Sequence, residues 1–310
     1  MTGKHGYAGN FEIGRRRILR NIDLYFLLIP GLIWVVVFRL TPIAGNVIAF
    51  QDFSVFRGFA DSEWVGLENF ERLFRTPGFV RALMNSIIIS TLMILFVTPL
   101  PPLIAIMLNE LGTTAYRKTT QTILFLPHFL SWVIVSGIIV NVFSSSGIVN
   151  SFIERFGGEP TSFLVSREHF RSLIVLSHGW KNVGYASIVY IAAIASIDPT
   201  LYEAATVDGA GRFGKILHIT IPGIIPTLVL LYILRVGNLL VVTREQVLML
   251  YKPVVYEVGD VLETFVYRVG LGQLEYSFAA AAGMFNSAVS FLLILVGNWL
   301  SRTYLGRSIW

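Results

Sequence analysis

An all-α, polytopic membrane protein with six transmembrane helices is the fold this sequence predicts, on three observations. Of its 310 residues 54% are hydrophobic and only 14% charged, with a mean hydropathy of +0.67, whereas a soluble domain carries roughly 25% charged residues. Several apolar runs reach the ~20 residues that cross a hydrocarbon core of ~30 Å. The basic residues between those runs favour one side, as the positive-inside rule requires.

The elements follow in order. Residues 1–22 are polar and basic, with Arg15, Arg16, Arg17 and Arg20, and read as a cytoplasmic N-terminal tail. The apolar run from Leu24 to about Phe50, interrupted by Arg39 and Pro42, is too long for the core of a signal peptide and has no small-x-small cleavage site after it, so it is the first span. Further spans fall at about 83–108, 119–143, 172–197, 219–242 and 278–300. The even number puts both ends on one side, giving a transmembrane body over 23–300 and a C-terminal tail over 301–310. The outer segments, about 51–82, 144–171 and 243–277, are amphipathic and predict short interfacial helices.

Charge orients these spans. The two tails and the 109–118 and 198–218 loops hold Lys4, Arg15, Arg16, Arg17, Arg20, Arg117, Lys118, Arg212, Lys215, Arg302 and Arg307 against Glu12, Asp23, Glu110, Asp198, Glu203 and Asp208. The rest of the chain is balanced, so both termini and the 198–218 loop face the cytoplasm. The same asymmetry explains the net charge of +5 without nucleic acid. No cysteine is present, which excludes disulfides, Cys-ligated zinc and thiol catalysis.

The stretch from Asp198 to Pro226 is a polar island between two spans. Asp198 followed by Pro199 reads as an N-cap with proline at the first helical position, Glu203 lies near the positive end of that helix, and Gly209 and Gly211 end it. Gly209, Gly211 and Gly214 fit a dinucleotide pattern, and Gly209 to Lys215 fits a phosphate loop except that Ile216 stands where Ser or Thr must bind magnesium. No strand precedes them and a βαβ unit has no room between two spans, so the island binds no nucleotide. Catalysis finds no support either: H-E-x-x-H and G-x-S-x-G are absent, and His5, His128, His169, His178 and His218 lack metal-ligand spacing. Ser177 and His178 are adjacent on a helix and do not face one another. No cofactor is expected.

Buried charge is the other unusual feature. Arg39, Lys181 and Arg235 fall inside spans that contain no Asp or Glu, at a cost of ~2.5–3.5 kcal/mol each. Lys181 is about nine residues into its span, or ~14 Å, close to the midplane. Arg39 and Arg235 lie in the outer half, where snorkelling is open to them. Small residues at four-residue spacing, Ala279, Gly283 and Ser287 in the last span and Ala192 and Ser196 in the fourth, predict close helix approach.

Glu203-Ala204-Ala205, Gly209 six positions after the glutamate, and Ile219-Thr220-Ile221-Pro222 together resemble the cytoplasmic loop of the membrane-spanning permease subunits of binding-protein-dependent ABC importers. Only Ile221, where that family has leucine, departs. Within the family the chain is similar to the branch that imports complex oligosaccharides and polysaccharide fragments. Leu126-Pro127-His128-Phe129-Leu130-Ser131-Trp132, Trp180-Lys181-Asn182-Val183-Gly184, Tyr251-Lys252-Pro253, Val266 to Leu271 and Ser308-Ile309-Trp310 carry that similarity, and Arg244-Glu245-Gln246 departs from it in lacking a phenylalanine before Glu-Gln.

The resemblance implies that the helix with Glu203, Ala204 and Ala205, followed by Asp208 and Gly209, is a coupling helix that docks in a groove on a separate ATPase subunit. It implies as partners a second permease of different sequence, two ATPase subunits, an extracellular or periplasmic solute-binding protein and a carbohydrate substrate, all at a bacterial plasma membrane. Arg39, Lys181 and Arg235 could line a path for an acidic sugar, with His128 beside them and Trp132, Trp180 and Tyr185 offering ring faces. Two other accounts stay open at this stage: acids on the second permease neutralise the cations, or Lys181 and Trp180 are architectural. An ATP-independent channel or facilitator is the competing function, and it gives no reason for a cytoplasmic Glu-Ala-Ala helix.

Overall fold

A computed structural model describes residues 21–306. The basic residues of the N-terminal tail from Lys4 to Arg20, Glu12, and the stretch from Arg307 to Trp310 lie outside the described residues.

The first span, α1 (Ile22–Phe50), runs from α-helix through a π-helical turn at Val36–Leu40 to a 3-10 end. No residue of Ile22–Val35 is buried within the chain. A two-stranded ribbon follows, β1 (Gln51–Asp52) against β2 (Glu63–Trp64), antiparallel with Gln51 opposite Trp64. After α2 (Glu68–Arg75) comes the second span, α3 (Pro77–Asn109), bulged at Met93–Val97. Proline at positions 99, 101 and 102 withholds backbone donors just below that bulge.

The third span departs from expectation. A single helix over 119–143 is predicted, but the chain forms α4 (Thr114–Phe129), breaks at Leu130 and Ser131, and resumes as α5 (Trp132–Phe143). Leu130 and Ser131 are extended (ψ 141° and 155°), and the Ser131 hydroxyl caps α5 by accepting from the Ile134 N–H at 3.3 Å. Pro127, lacking an N–H, already weakens the last turn of α4.

The short outer helix α6 (Ile148–Arg155) leads to the fourth span, α7 (Phe170–Ala195), which bends by 68° into α8 (Pro199–Val207). The fifth span is α9 (Arg212–Gly237). The outer segment after it holds α10 (Arg244–Leu250), turns at Pro253–Val255 and Tyr256–Gly259, and α11 (Leu262–Tyr267), before the last span, α12 (Tyr276–Leu305). Among the described residues five helices are long and apolar enough to cross a membrane, and the bent pair α7–α8 makes six. The short outer helices match the amphipathic reading of those segments.

α7 is the hub. One apolar cluster joins its outer half (Phe170, Leu173, Ile174) to Ile89 and Met93 of α3, Trp132 and Val135 of α5, and Val247 and Leu250 of α10. Another joins its inner half (Tyr190, Ile194) to Ala105 of α3 and Ile224 of α9. A third lies under the outer segments, where Leu73, Phe79, Phe265 and Phe278 pack together. Polar ties fix the same layer. The buried Asn85 donates to the Glu257 and Asp260 carbonyls (3.1 and 3.0 Å) and accepts from Arg171 (2.8 Å), and Arg268 grips Asp260 through two nitrogens (3.1 and 2.5 Å).

Only one member of the small-residue set makes a close approach within this chain: Ala279 packs against Gly270. Gly283, Ser287, Ala192 and Ser196 are exposed in this chain, and a Cβ added at Gly283 would meet nothing within 4 Å. Close approach occurs at other glycines: Gly297 lets Ile233 of α9 in against α12, and Gly184 lies directly against the Leu124 carbonyl of α4. A helix face must be known before a small residue can be assigned to a contact, and spacing alone does not supply it.

Candidate functional site

The polar island between spans four and five folds as its caps dictate. The Asp198 carboxylate accepts from the Thr200 N–H at 2.9 Å, and the Thr200 donors hold that carboxyl below its usual range. At the other end the Asp208 N–H reaches the Ala204 carbonyl (3.0 Å), and Gly209 adopts a left-handed φ of +78°, which lets Ala210 N–H return to the Ala205 carbonyl at 2.8 Å. Two contacts pin α8 to α9, and a third ties the start of α9 to the end of α3. Tyr202 shares a hydrogen bond with Thr220 (3.0 Å), Lys215 donates to the Thr206 hydroxyl (2.7 Å), and Arg212 pairs with Glu110 at 3.3 Å.

What α8 leaves outward is the set the sequence singles out. Glu203, Ala204, Asp208 and Gly209 are exposed and Ala205 is half-buried, with Leu201 and Val207 as apolar neighbours on the surface. Among the described residues Glu203 has no ion pair, and Val207 and Phe213 are 88% and 87% exposed. The anchored helix thus presents a small, partly apolar face on which, among the described residues, the Glu203 and Asp208 carboxylates have no ion pair.

In the bundle, the two stretches Leu126–Trp132 and Trp180–Tyr185 prove to be one interlocked unit. The Lys181 ammonium donates to the carbonyls of Pro127 (3.2 Å), His128 (2.7 Å) and Leu130 (2.5 Å). These carbonyls lie at the break in span three, at the negative end of the α4 dipole, where the Pro127 carbonyl also accepts from the Leu130 N–H at 3.3 Å. An ammonium has three donors, and all three are used here. Its Nζ also lies 5.5 Å from the Trp132 ring centre. Next to it, Asn182 meets His128 Nδ1 at 3.1 Å, and the His128 ring stacks on Tyr185 at 3.8 Å between centres. Lys181 is thus not the partnerless cation expected from the absence of acidic residues; carbonyl oxygens replace a carboxylate.

The other proposed path residues separate. Arg39 lies on the exposed surface of α1 with its guanidinium 5.9 Å from the Trp34 ring. Trp180 is half-exposed and lines an apolar cavity of about 390 Å³ with Leu176, Ile138 and Phe143, away from the Lys181 cap. Arg235 does not snorkel outward. It turns into the bundle, donates to the Met93 sulfur at 3.1 Å, and lines a second cavity, of about 260 Å³, together with Thr98, His178, Asn182 and Tyr190.

Sequence reasoning missed two polar members of this region. Gln246 of α10 is completely buried and donates to the Ile174 carbonyl (2.7 Å) and Ser177 hydroxyl (2.8 Å), while its carbonyl oxygen faces His178 Nδ1 at 3.4 Å. His178 in turn lies between Gln246 and Asn182, with its ring 6.4 Å from that of Trp132. The only available signal was a glutamine two residues after Arg244 in an otherwise apolar stretch.

A six-span helical chain with a capped, exposed helix between spans four and five has the architecture of a polytopic permease. Residues 98–306 match the family described as binding-protein-dependent transport system inner membrane component, and this chain belongs to that family. It is therefore a multi-pass membrane permease subunit of an ABC transport system, in a family whose members are not themselves catalytic. It is similar to the polygalacturonan/rhamnogalacturonan transport system permease protein YteP of Bacillus subtilis (strain 168), with 39% identity over 93% of this chain and 90% of the relative. The arabinooligosaccharides transport system permease protein AraP of the same organism is 27% identical over 91% of this chain and 90% of its own length. Among solved structures, a bacterial ABC transporter involved in the import of the acidic polysaccharide alginate superposes with a TM-score of 0.86 at 41% identity, covering 93% of this chain and 98% of that one. A bacterial alginate ABC transporter in complex with an alginate pentasaccharide-bound periplasmic protein gives a TM-score of 0.86 at 40% identity, over 95% and 99%.

Proposed function

We propose that this chain is one of two permease subunits in an ATP-driven importer of complex carbohydrates, oligosaccharides or polysaccharide fragments. It lies in a bacterial plasma membrane with both termini cytoplasmic. The observation that carries this reading is α8: a helix capped by Asp198, turned by Gly209, pinned by Tyr202 and Lys215, and open on the Glu203-Ala204 side. Two ATPase subunits close on ATP, and each drives one permease through such a helix. Glu203 offers a carboxylate to a basic groove, Ala204 and Ala205 permit close approach, and Asp208 and Gly209 set the turn that follows. Movement of α8 passes into α7, to which it is joined by a 68° bend through residues 196–198.

On the outer face a solute-binding protein delivers the sugar, and the path runs along the polar side of α7, past His128, Trp132 and Tyr185. Support for a carbohydrate comes from the relatives above, which are a polygalacturonan/rhamnogalacturonan permease, an arabinooligosaccharide permease and an alginate importer. The test is reconstitution with the co-expressed partner subunits, using Glu203→Lys and Gly209→Asp. Both variants should insert in the membrane yet lose co-purification of the ATPase and ATP-dependent uptake. Wild-type uptake in both, or uptake by the wild type without ATP, would favour the facilitator reading instead.

A further inference from the structure

We infer that the cavity between α3, α7 and α9 is a carboxylate subsite for one acidic residue of the transported glycan, with Arg235 as the group that reads the charge. The inference rests on the importer reading and goes beyond it to the chemistry of one site.

The three intramembrane cations differ in what their donors do. Lys181 spends all three on backbone carbonyls, and Arg39 lies on the outside of α1 against Trp34. Arg235 has five N–H donors, and among the described residues its one hydrogen-bond partner is the thioether of Met93, a weak acceptor. No aspartate or glutamate lines its cavity. A charge held at this depth is costly and is kept where it has a partner or lines a water-filled path, so the remaining donors call for an anion that comes and goes.

The shape and lining select the kind of anion. A guanidinium presents parallel N–H groups that match a carboxylate in two-point fashion. Around it Thr98, His178, Asn182 and Tyr190 supply hydroxyl, imidazole and amide groups suited to sugar hydroxyls. The volume of about 260 Å³ falls below the ~300–1,000 Å³ that encloses a drug-sized ligand. It therefore takes one sugar residue of a longer chain. Such a site tests for charge residue by residue, and leaves chain length to other parts of the assembly.

The test uses the complete transporter, with its partner subunits and binding protein, in proteoliposomes. A uronate tetrasaccharide is compared with the neutral tetrasaccharide obtained from it by carboxyl reduction, and binding of the uronate to the detergent-solubilised complex is measured without the binding protein. Arg235→Gln should cut the ratio of acidic to neutral uptake, and the affinity for the uronate, by roughly tenfold or more. Arg235→Lys should fall between, because it keeps the charge and loses the fork. A parallel fall for both sugars, no change in either, or loss of the second permease on purification of Arg235→Gln would overturn the subsite. The last outcome would assign the guanidinium to a partner acid. ATP-independent or absent uptake of both sugars by the wild type would instead overturn the importer reading itself, and the subsite with it.

Discussion

Lys181 and Gly184 show how single residues hold the broken third span to the fourth. Lys181→Met would remove the ammonium from three carbonyls, leaving Pro127 only its bond from the Leu130 N–H. Each such loss costs about 1–3 kcal/mol in a water-soluble core, but hydrogen bonds within membrane bundles average nearer ~0.6 kcal/mol, so a total loss of about 2 kcal/mol is expected. It should appear as a lower melting temperature in detergent, with uptake of acidic and neutral sugars reduced in parallel. A selective loss of acidic uptake would instead place Lys181 in contact with substrate. Gly184→Ala puts a methyl group on the Leu124 carbonyl and should cost about 1–3 kcal/mol by overpacking. The same measurement on Gly283→Ala should show almost no change, because that position opens on empty space within this chain.

At the scale of the element, α8 and the outer layer are held by different polar ties. The Asp198 carboxyl is lowered by its bonds from Thr200, so its contribution to the cap is complete above the ordinary carboxylate range. It is lost only as pH falls through the lowered folded value. ATPase binding through α8 should therefore be unchanged between about pH 8 and pH 5, as a pull-down across that range would show. Gly209→Ala forces a side chain into φ +78° and should weaken the turn by about 1–2 kcal/mol, with a matching drop in ATPase affinity. In the outer layer, Asp260 is buried while Arg268 is about one-third exposed. Asp260→Ala strands the guanidinium at a cost of about 2 kcal/mol, below the ~3–5 of a fully buried pair, measurable as an earlier onset of unfolding.

For the whole molecule, the absence of cysteine makes orientation directly testable. Phe56, fully exposed in the segment between β1 and β2, and Val207, 88% exposed on α8, should fall on opposite sides. Phe56→Cys should label with an impermeant maleimide on intact cells, and Val207→Cys only after permeabilisation. The reverse result would invert the topology and remove α8 from the reach of any cytoplasmic ATPase.

The sequence by itself determined the membrane class, the number of spans, the capped helix between spans four and five and its glycine turn. Each depends on local chemistry: runs of apolar residues, Asp-Pro at a helix start, a glycine where φ must be positive. Tertiary structure alone decided the break at Leu130–Ser131, the use of Lys181 as its cap, the inward turn of Arg235 and the burial of Gln246. These follow from which helix faces meet, a property of residues far apart in the chain. A lysine at mid-span has the same local sequence whether it awaits a substrate or satisfies three carbonyls fifty residues away, and only the packing of α7 against α4 distinguishes the two.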